Sequence, residues 1–166
     1  MSKNNLTPFR RSFGNKEIIY LKKVISHYKK NNVDPGYQGI FEKKLSKKFS
    51  KYMHGGYSKP VSTGTSAVYV AIQSLNLKIN SEVLVSPVND SGPINCLIAL
   101  NLKPILIDSK KMSYNTDLNQ IKKKITQKTK AILLSHVAGN TAEIGKISNY
   151  LKIKKIKIIE DCSQAP

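Results

Sequence analysis

The sequence has few or none of several residue types that mark particular classes of protein. Of its 166 residues none is tryptophan, two are cysteine and 10 are acidic. Cys96 and Cys162 form neither a Cys-x-x-Cys pair nor a metal-ligand cluster with the three histidines, so we expect two reduced, buried thiols and no metal site. No apolar run reaches the roughly 18 residues that cross a bilayer, and Met1 to Arg11 lacks the hydrophobic segment of a signal peptide. We therefore expect a soluble cytoplasmic protein with no membrane partner.

Positive charge, in contrast, is abundant. Lysine and arginine together number 28, and the formal net charge is +18. A charge of this size attracts nucleic acid non-specifically. However, only Arg10 and Arg11 are arginines, and the planar guanidinium is the favoured donor for phosphates and base edges. Because the lysine doublets fall on the predicted polar faces of helices, we expect solvated surfaces rather than a nucleic-acid partner.

Residues 1–56 predict an N-terminal helical segment. Asn15 is a predicted N-cap, and apolar residues follow it at helical spacing: Ile18, Leu21, Val24, Ile25 and Tyr28. A break at Asp34-Pro35-Gly36 separates this helix from a second apolar stripe, made of Phe41, Leu45, Phe49 and Tyr52.

Residues 57–166 predict a second domain, in which short β-rich runs alternate with helical patterns. The predicted strands are 59–62, 82–86, 103–108, 130–135 and 156–160, and the predicted helices are 65–77, 93–101, 118–125 and 143–151. Asp117 and Gln120 form a possible capping box at the start of the third of these helices. This alternation is typical of βαβ units, so the fold class is α/β with a mainly parallel sheet between helices.

Two segments could carry chemistry. The turn at 62–67, STGTSA, joins a predicted strand to a helix N-terminus, where backbone N–H groups and hydroxyls suit a phosphate; these residues are equally ordinary N-caps. The run EDCSQ at 160–164 follows the last strand, at the sheet edge where α/β proteins bind ligands, although acidic residues there also cap helices. His136 is ambiguous between a site residue and a satisfied core residue.

Four segments, taken in order, resemble the DegT/DnrJ/EryC1/StrS family of sugar-nucleotide aminotransferases, which use pyridoxal 5′-phosphate. They are STGTSA at 62–67, EVLV at 82–85 with PILID at 104–108, ITQKTKAI at 125–132 with HVAGN at 136–140, and IEDCSQA at 159–165. The resemblance implies an αβα sandwich that is part of the large domain of a type I, aspartate aminotransferase-like transferase. It covers essentially the whole chain.

The resemblance also implies site residues. Gly64, Thr65 and Ser66 would hold the cofactor phosphate, Asp161 would pair with the protonated pyridine nitrogen, and Gln164 would hydrogen-bond the ring hydroxyl. Asp90 stands in the loop where the family usually has an aromatic residue that stacks on the ring, so we place it at the cofactor without stacking.

The family's Schiff-base lysine falls beyond Pro166, and no lysine of this chain stands in its motif. The resemblance therefore implies a fragment of an aminotransferase that moves an amino group, with glutamate as donor, to a keto-sugar nucleotide in surface polysaccharide or amino-sugar synthesis. We expect the chain to be inactive alone and the full-length protein to be a homodimer. The alternatives are a dehydratase of the same family, with histidine in place of lysine, and a non-catalytic binding remnant.

Overall fold

The chain, seen in a computed structural model that describes residues 14–165, forms two compact units that divide between Pro60 and Val61. The sequence analysis placed the domain boundary after Gly56, and its interpretation of Met1 to Arg11 and of Pro166 lies outside the described residues. None of the helices described is long and apolar enough to cross a membrane.

The first unit contains two helices, α1 (Asn15–Asn31) and α2 (Ile40–Tyr52), as the apolar spacing predicts. The predicted N-cap at Asn15 is wrong, because the cap is Gly14, whose N–H donates to the Glu17 carboxylate at 2.7 Å. Tyr28 and Phe41 bring the two helices into aromatic contact, with 5.9 Å between ring centroids. Neither helix has a buried residue.

The second unit alternates helices and strands. Its helices are α3 (Gly64–Ser74), α4 (Ser91–Ala99), α5 (Leu118–Lys124) and α6 (Ile144–Ile153), and its strands are β1 (Glu82–Val85), β2 (Lys103–Leu106), β3 (Thr129–Ser135) and β4 (Lys157–Asp161). The side chain of Asp117 caps α5 by accepting from the N–H of Gln120 at 2.9 Å, which confirms the predicted N-cap. The Gln120 side chain accepts instead from Lys123 at 3.1 Å, so the described residues do not show the reciprocal bond of a capping box.

One predicted strand is wrong. Residues 59–62 form no strand and pair with none of the described strands. Pro60 has no N–H to donate to a ladder, and the side chain of Lys59 binds Glu42 at 2.6 Å. The other strands and helices agree with the prediction to within three residues at each end.

The four strands form a parallel sheet in the order β2-β1-β3-β4. One core layer lies between the sheet and helices α3 and α4, and it includes Ile72, Val83 and Leu97. The other lies between the sheet and helices α5 and α6, and it includes Ile132 and Leu151. Because helices cover both faces, β1 and β3 are almost continuously apolar, and the predicted αβα sandwich is confirmed.

Candidate functional site

The carboxyl edge of the sheet brings the two sequence candidates together. Strands β1, β3 and β4 end at Val85, Ser135 and Asp161, and helices α3 and α4 begin near this edge at Gly64 and Ser91. All strands of a parallel sheet end on the same side, so loops that are distant in sequence meet there. We call the resulting surface the carboxyl-edge cleft. Its larger cavity, of about 640 Å³, is lined by Gly64, Asp161 and Ser91 among others.

The turn before α3 is organised by its cap. The Thr63 hydroxyl accepts from the Ser66 N–H at 3.0 Å and contacts the Ser66 hydroxyl at 2.9 Å. The backbone N–H groups of Gly64 and Thr65 have no acceptor within residues 14–165. Thr63 is therefore an ordinary N-cap, which confirms one of the two interpretations of this turn. The N–H groups of the next two residues are unpaired, as in the first turn of any helix, so an anion site there stays a prediction.

Thr65 is held against the start of α4. A Cβ on Gly92 would lie 2.8 Å from Thr65 Oγ1, and the Cys96 thiol donates weakly to the Thr65 carbonyl at 3.5 Å. Helices α3 and α4 therefore meet closely at their N-termini. This contact places the Thr65 hydroxyl in the larger cavity, where Asp90 also lies.

Asp161 ends β4 with one carboxylate oxygen occupied. Its Oδ1 accepts from the Ser163 N–H at 3.0 Å and from the Ser163 hydroxyl at 2.6 Å. Across the part of the chain that the structure describes, Oδ2 accepts no hydrogen bond. The carboxylate is half-buried and fixed in orientation, and its Oδ2 can still accept a hydrogen bond from a ligand.

Gln164 is oriented by the loop after β3. Its side-chain Oε1 accepts from the N–H of Ala138 at 2.7 Å. Ala138 has φ of 54° and Gly139 has φ of 78°, so both occupy the left-handed region, which is unusual for alanine. Since Oε1 is engaged, the amide nitrogen of Gln164 is the group that remains available as a donor.

Asp90 precedes α4 but does not cap it through its side chain. It is exposed and lines both cavities of the cleft together with Asp161. Neither cavity is lined by a phenylalanine or tyrosine from the described residues. The imidazole of His136, which lines the smaller cavity, is the one aromatic ring among the described residues that line either cavity.

His136, Glu160 and Cys162 lie beside the cleft, with one possible metal-ligand atom of each within 4.8 Å of the others. The sequence analysis expected no such cluster and expected Cys162 to be buried, whereas it is exposed because it follows the end of β4. His136 is buried; its Nδ1 accepts from the Ala142 N–H at 3.2 Å, so Nε2 carries the proton that donates to Glu160 at 3.0 Å.

This donor set does not suit a metal ion. Nε2 of His136 has no free lone pair in that tautomer. Partial burial, together with the charges of Glu160 and Asp161, raises the pKa of the Cys162 thiol, and a protonated thiol is a poor ligand. His136 is instead a core residue whose ring nitrogens both have hydrogen-bond partners, which was one of its two interpretations.

Polar atoms without partners mark the inner part of the cleft. The second cavity, of about 110 Å³, is lined by Asn89, Ser135, Asp161 and Gln164 among others. The side-chain nitrogen of Asn89 and the hydroxyl of Ser135 are buried and have no hydrogen-bond partner among residues 14–165. Buried polar groups are normally paired, so these two atoms are open to a hydrogen bond from a polar ligand or an ordered water. The residues present therefore fit a phosphorylated, nitrogen-containing ring: free N–H groups at one end and a free carboxylate oxygen with unpaired donors at the other.

Comparison with known proteins matches nearly the whole chain to one family. Residues 22–166 match the DegT/DnrJ/EryC1/StrS aminotransferase family. The chain belongs to this family. It is 30% identical over 128 residues to a GDP-perosamine synthase of Escherichia coli O157:H7, covering 77% of this chain and 35% of that protein. It is 31% identical over 121 residues to a dTDP-3-amino-3,6-dideoxy-alpha-D-galactopyranose transaminase of Aneurinibacillus thermoaerophilus, covering 73% and 33%.

Solved structures share the fold. An aminotransferase from Psychrobacter cryohalolentis superposes with a TM-score of 0.83 at 26% identity, over 96% of this chain and 40% of that one. A GDP-4-keto-6-deoxy-D-mannose-3-dehydratase from E. coli, determined with bound hydrated PLP, gives a TM-score of 0.80 at 23% identity, over 92% and 39%. The chain thus spans roughly two fifths or less of the length of these family members.

Sequence reasoning missed several residues of the cleft. Gly92 and Ala138 act through backbone conformation and close approach, which only the packed structure reveals. Asn89 and Ser135 stood next to recognised positions, Asp90 and His136, but belonged to no motif. The topology of the sheet could have pointed to Asn89 and Ser135. Ser135 ends a buried parallel strand and Asn89 follows one, at the sheet edge where Asp161 was already placed.

Proposed function

We propose that this chain supplies the cofactor-binding half of a pyridoxal phosphate-dependent aminotransferase that acts on a keto-sugar nucleotide, with glutamate as amino donor. The observation that carries the proposal is Asp161, whose Oδ2 is free of protein hydrogen bonds in the same cleft as the unpaired N–H groups of Gly64 and Thr65. A phosphorylated pyridine ring needs both features at once.

At the phosphate end, the N–H groups of Gly64 and Thr65 and the Thr65 hydroxyl would hold the phosphate. The N-terminal dipole of α3 favours the same negative charge. The Ser66 N–H is taken by Thr63, so Ser66 would contribute its hydroxyl alone.

At the ring end, Asp161 would accept a hydrogen bond from the protonated pyridine nitrogen, and the Gln164 amide nitrogen would donate to the ring hydroxyl. The cofactor, when bound, supplies an electron sink for the amino-acid substrate. Holding a proton on the ring nitrogen strengthens that sink, which is the role of the Asp161 carboxylate. The two bonds from Ser163 fix the carboxylate for this purpose.

The substrate class is proposed from the relatives. Two of them, at 30% and 31% identity, are named for a GDP-linked and a dTDP-linked amino sugar. Amino sugars of this type suit surface polysaccharide or amino-sugar synthesis. We further propose a cytoplasmic homodimer; exposed apolar residues along α1, such as Leu21 and Ile25, which are 62% and 65% exposed, support a subunit interface.

No lysine is among the described residues that line the two cavities. We propose that the Schiff-base lysine and the substrate-reading loops come from sequence outside these 166 residues. A dehydratase of the same family is the second candidate, because one structure with the same fold is a sugar-nucleotide 3-dehydratase.

The experiment uses the complete protein that contains these residues, together with pyridoxal phosphate, ¹⁵N-glutamate and a GDP- or dTDP-linked 4-keto-6-deoxyhexose, and follows the sugar by mass spectrometry. Transfer of ¹⁵N to the sugar supports the aminotransferase. A 3-deoxy sugar without nitrogen would assign the dehydratase instead. If the protein binds pyridoxamine phosphate but catalyses neither reaction, the non-catalytic binding piece is the better account.

A further inference from the structure

The carboxyl-edge cleft has two ends that recognise different chemistry. Its two cavities share Asp90, Asp161 and Ser163. The larger is lined by Gly64 and Thr65, which carry the free N–H groups, and it is not lined by Asn89, Ser135 or Gln164. Those three residues line only the smaller cavity. Consider a ring whose nitrogen hydrogen-bonds to Asp161 and whose phosphate binds at the N-terminus of α3. The remaining edge of that ring is directed toward the smaller cavity.

The smaller cavity presents donors that the protein does not satisfy. Asn89 Nδ2 and Ser135 Oγ are buried, and neither has a hydrogen-bond partner in the described part of the chain. Ser135 stands directly across from Asp161 in the register of β3 and β4, and its backbone N–H is already taken by the Ser86 hydroxyl at 2.9 Å. Leaving buried donors unpaired costs free energy, which an acceptor atom of a ligand would recover.

The third donor is Gln164. Because its Oε1 accepts from Ala138 at 2.7 Å, the amide nitrogen is the group left for a ligand. The cavity of about 110 Å³ is far below the roughly 300 Å³ at which small-molecule pockets begin, so it takes one substituted edge of a ring rather than a sugar. Three residues with an uncommitted donor line this small cavity, which has room for a single acceptor oxygen.

We propose that Asn89 and Ser135 form, with Gln164, a subsite that binds the 3-hydroxyl oxygen of the cofactor ring. This inference rests on the proposed function. It assigns a role to the loop 87–92 that differs from stacking: with no aromatic in that loop, Asn89 holds the ring through an edge hydrogen bond instead.

The test compares two ligands that need no lysine, pyridoxamine 5′-phosphate and its 3-deoxy analogue, by equilibrium fluorescence titration. We expect wild type to prefer the 3-hydroxy ligand. Asn89→Ala and Ser135→Ala should each reduce that preference by roughly 3- to 10-fold, which is typical of one hydrogen bond. Affinity for the 3-deoxy ligand should be unchanged. Asn149→Ala, on the exposed side of α6, is the matched control and should leave the preference intact.

Melting of the ligand-free protein separates this role from a structural one. Because Asn89 Nδ2 has no partner, Asn89→Ala should not lower the melting temperature. The inference is overturned if both variants keep the wild-type preference, or if they weaken both ligands equally. A wild-type protein that binds neither ligand overturns the inference and the proposed function together, whereas retained binding with unchanged preference overturns the inference alone.

Discussion

Replacing Gly92 by alanine is expected to disturb the contact between α3 and α4 and to weaken anion binding in the cleft. An added Cβ would lie 2.8 Å from Thr65 Oγ1 and 3.5 Å from Thr65 Cγ2. Thr65 is β-branched, so its side chain has few alternative rotamers. Overpacking of this kind costs about 1–3 kcal/mol of unfolding free energy, against a helix-propensity gain of up to about 1 kcal/mol.

Gly145 provides a matched control. Gly92 and Gly145 are each the second residue of a helix, but a Cβ on Gly145 would meet no atom within 4 Å. Gly145→Ala should therefore show the propensity gain alone. For a chain of this size each 1 kcal/mol shifts the melting temperature by about 2–4 °C, so Gly92→Ala should melt about 2–12 °C below Gly145→Ala.

Differential scanning calorimetry measures that difference, and a titration with inorganic phosphate measures the consequence for the site. We expect Gly92→Ala to lose phosphate affinity because the Thr65 hydroxyl is displaced, and Gly145→Ala to keep it. Equal melting temperatures for the two variants, with equal phosphate affinity, would refute the close approach of α3 and α4 and the role of Thr65.

Three further predictions concern the fold. Leu84→Ala, at a fully buried position of β1, should lower the unfolding free energy by about 2–5 kcal/mol in urea denaturation; a loss below about 1 kcal/mol would contradict its burial. Thr63→Ala should cost about 1 kcal/mol by the same assay, because the N–H of Ser66 loses its cap; an unchanged midpoint would count against that bond. The hydrogen bond from Lys59 lowers the pKa of Glu42, so its stabilisation is fully present above the ordinary pKa of glutamate and is lost as the pH falls from there through the lowered pKa of the folded state. Glu42→Gln should then melt below wild type at neutral pH and converge with it in acid, and a difference that persists in acid would oppose this assignment.

The fold could be predicted largely from the sequence because its signals are local and periodic. Val68 and Ile72 repeat at helical spacing, and both are buried in α3 as expected. Strands β1 and β3 are short apolar runs bounded by polar residues, and both are central in the sheet. The segment at 59–62 was mistaken for a strand because pairing depends on a neighbouring strand, which a local pattern does not supply, and on an N–H that Pro60 lacks.

The site was predictable in its outline and not in its detail. The turn at Gly64 and the carboxylate of Asp161 could be placed at one sheet edge by topology. The hydrogen bond between Ala138 and Gln164, and the unpaired atoms of Asn89 and Ser135, depend on side-chain placement across loops far apart in sequence. Cys162 was expected to be buried from its apolar neighbours, but the end of β4 leaves it exposed.

The central claim is that Asp161 and the turn before α3 bind one phosphorylated pyridine. The most direct measurement is the affinity of wild type and Asp161→Ala for pyridoxamine 5′-phosphate and for inorganic phosphate, by calorimetric titration. We predict that wild type binds pyridoxamine phosphate more tightly than phosphate, and that Asp161→Ala removes most of this difference while phosphate affinity stays the same. Equal affinity of wild type for the two ligands, or an unchanged preference in Asp161→Ala, would contradict the account.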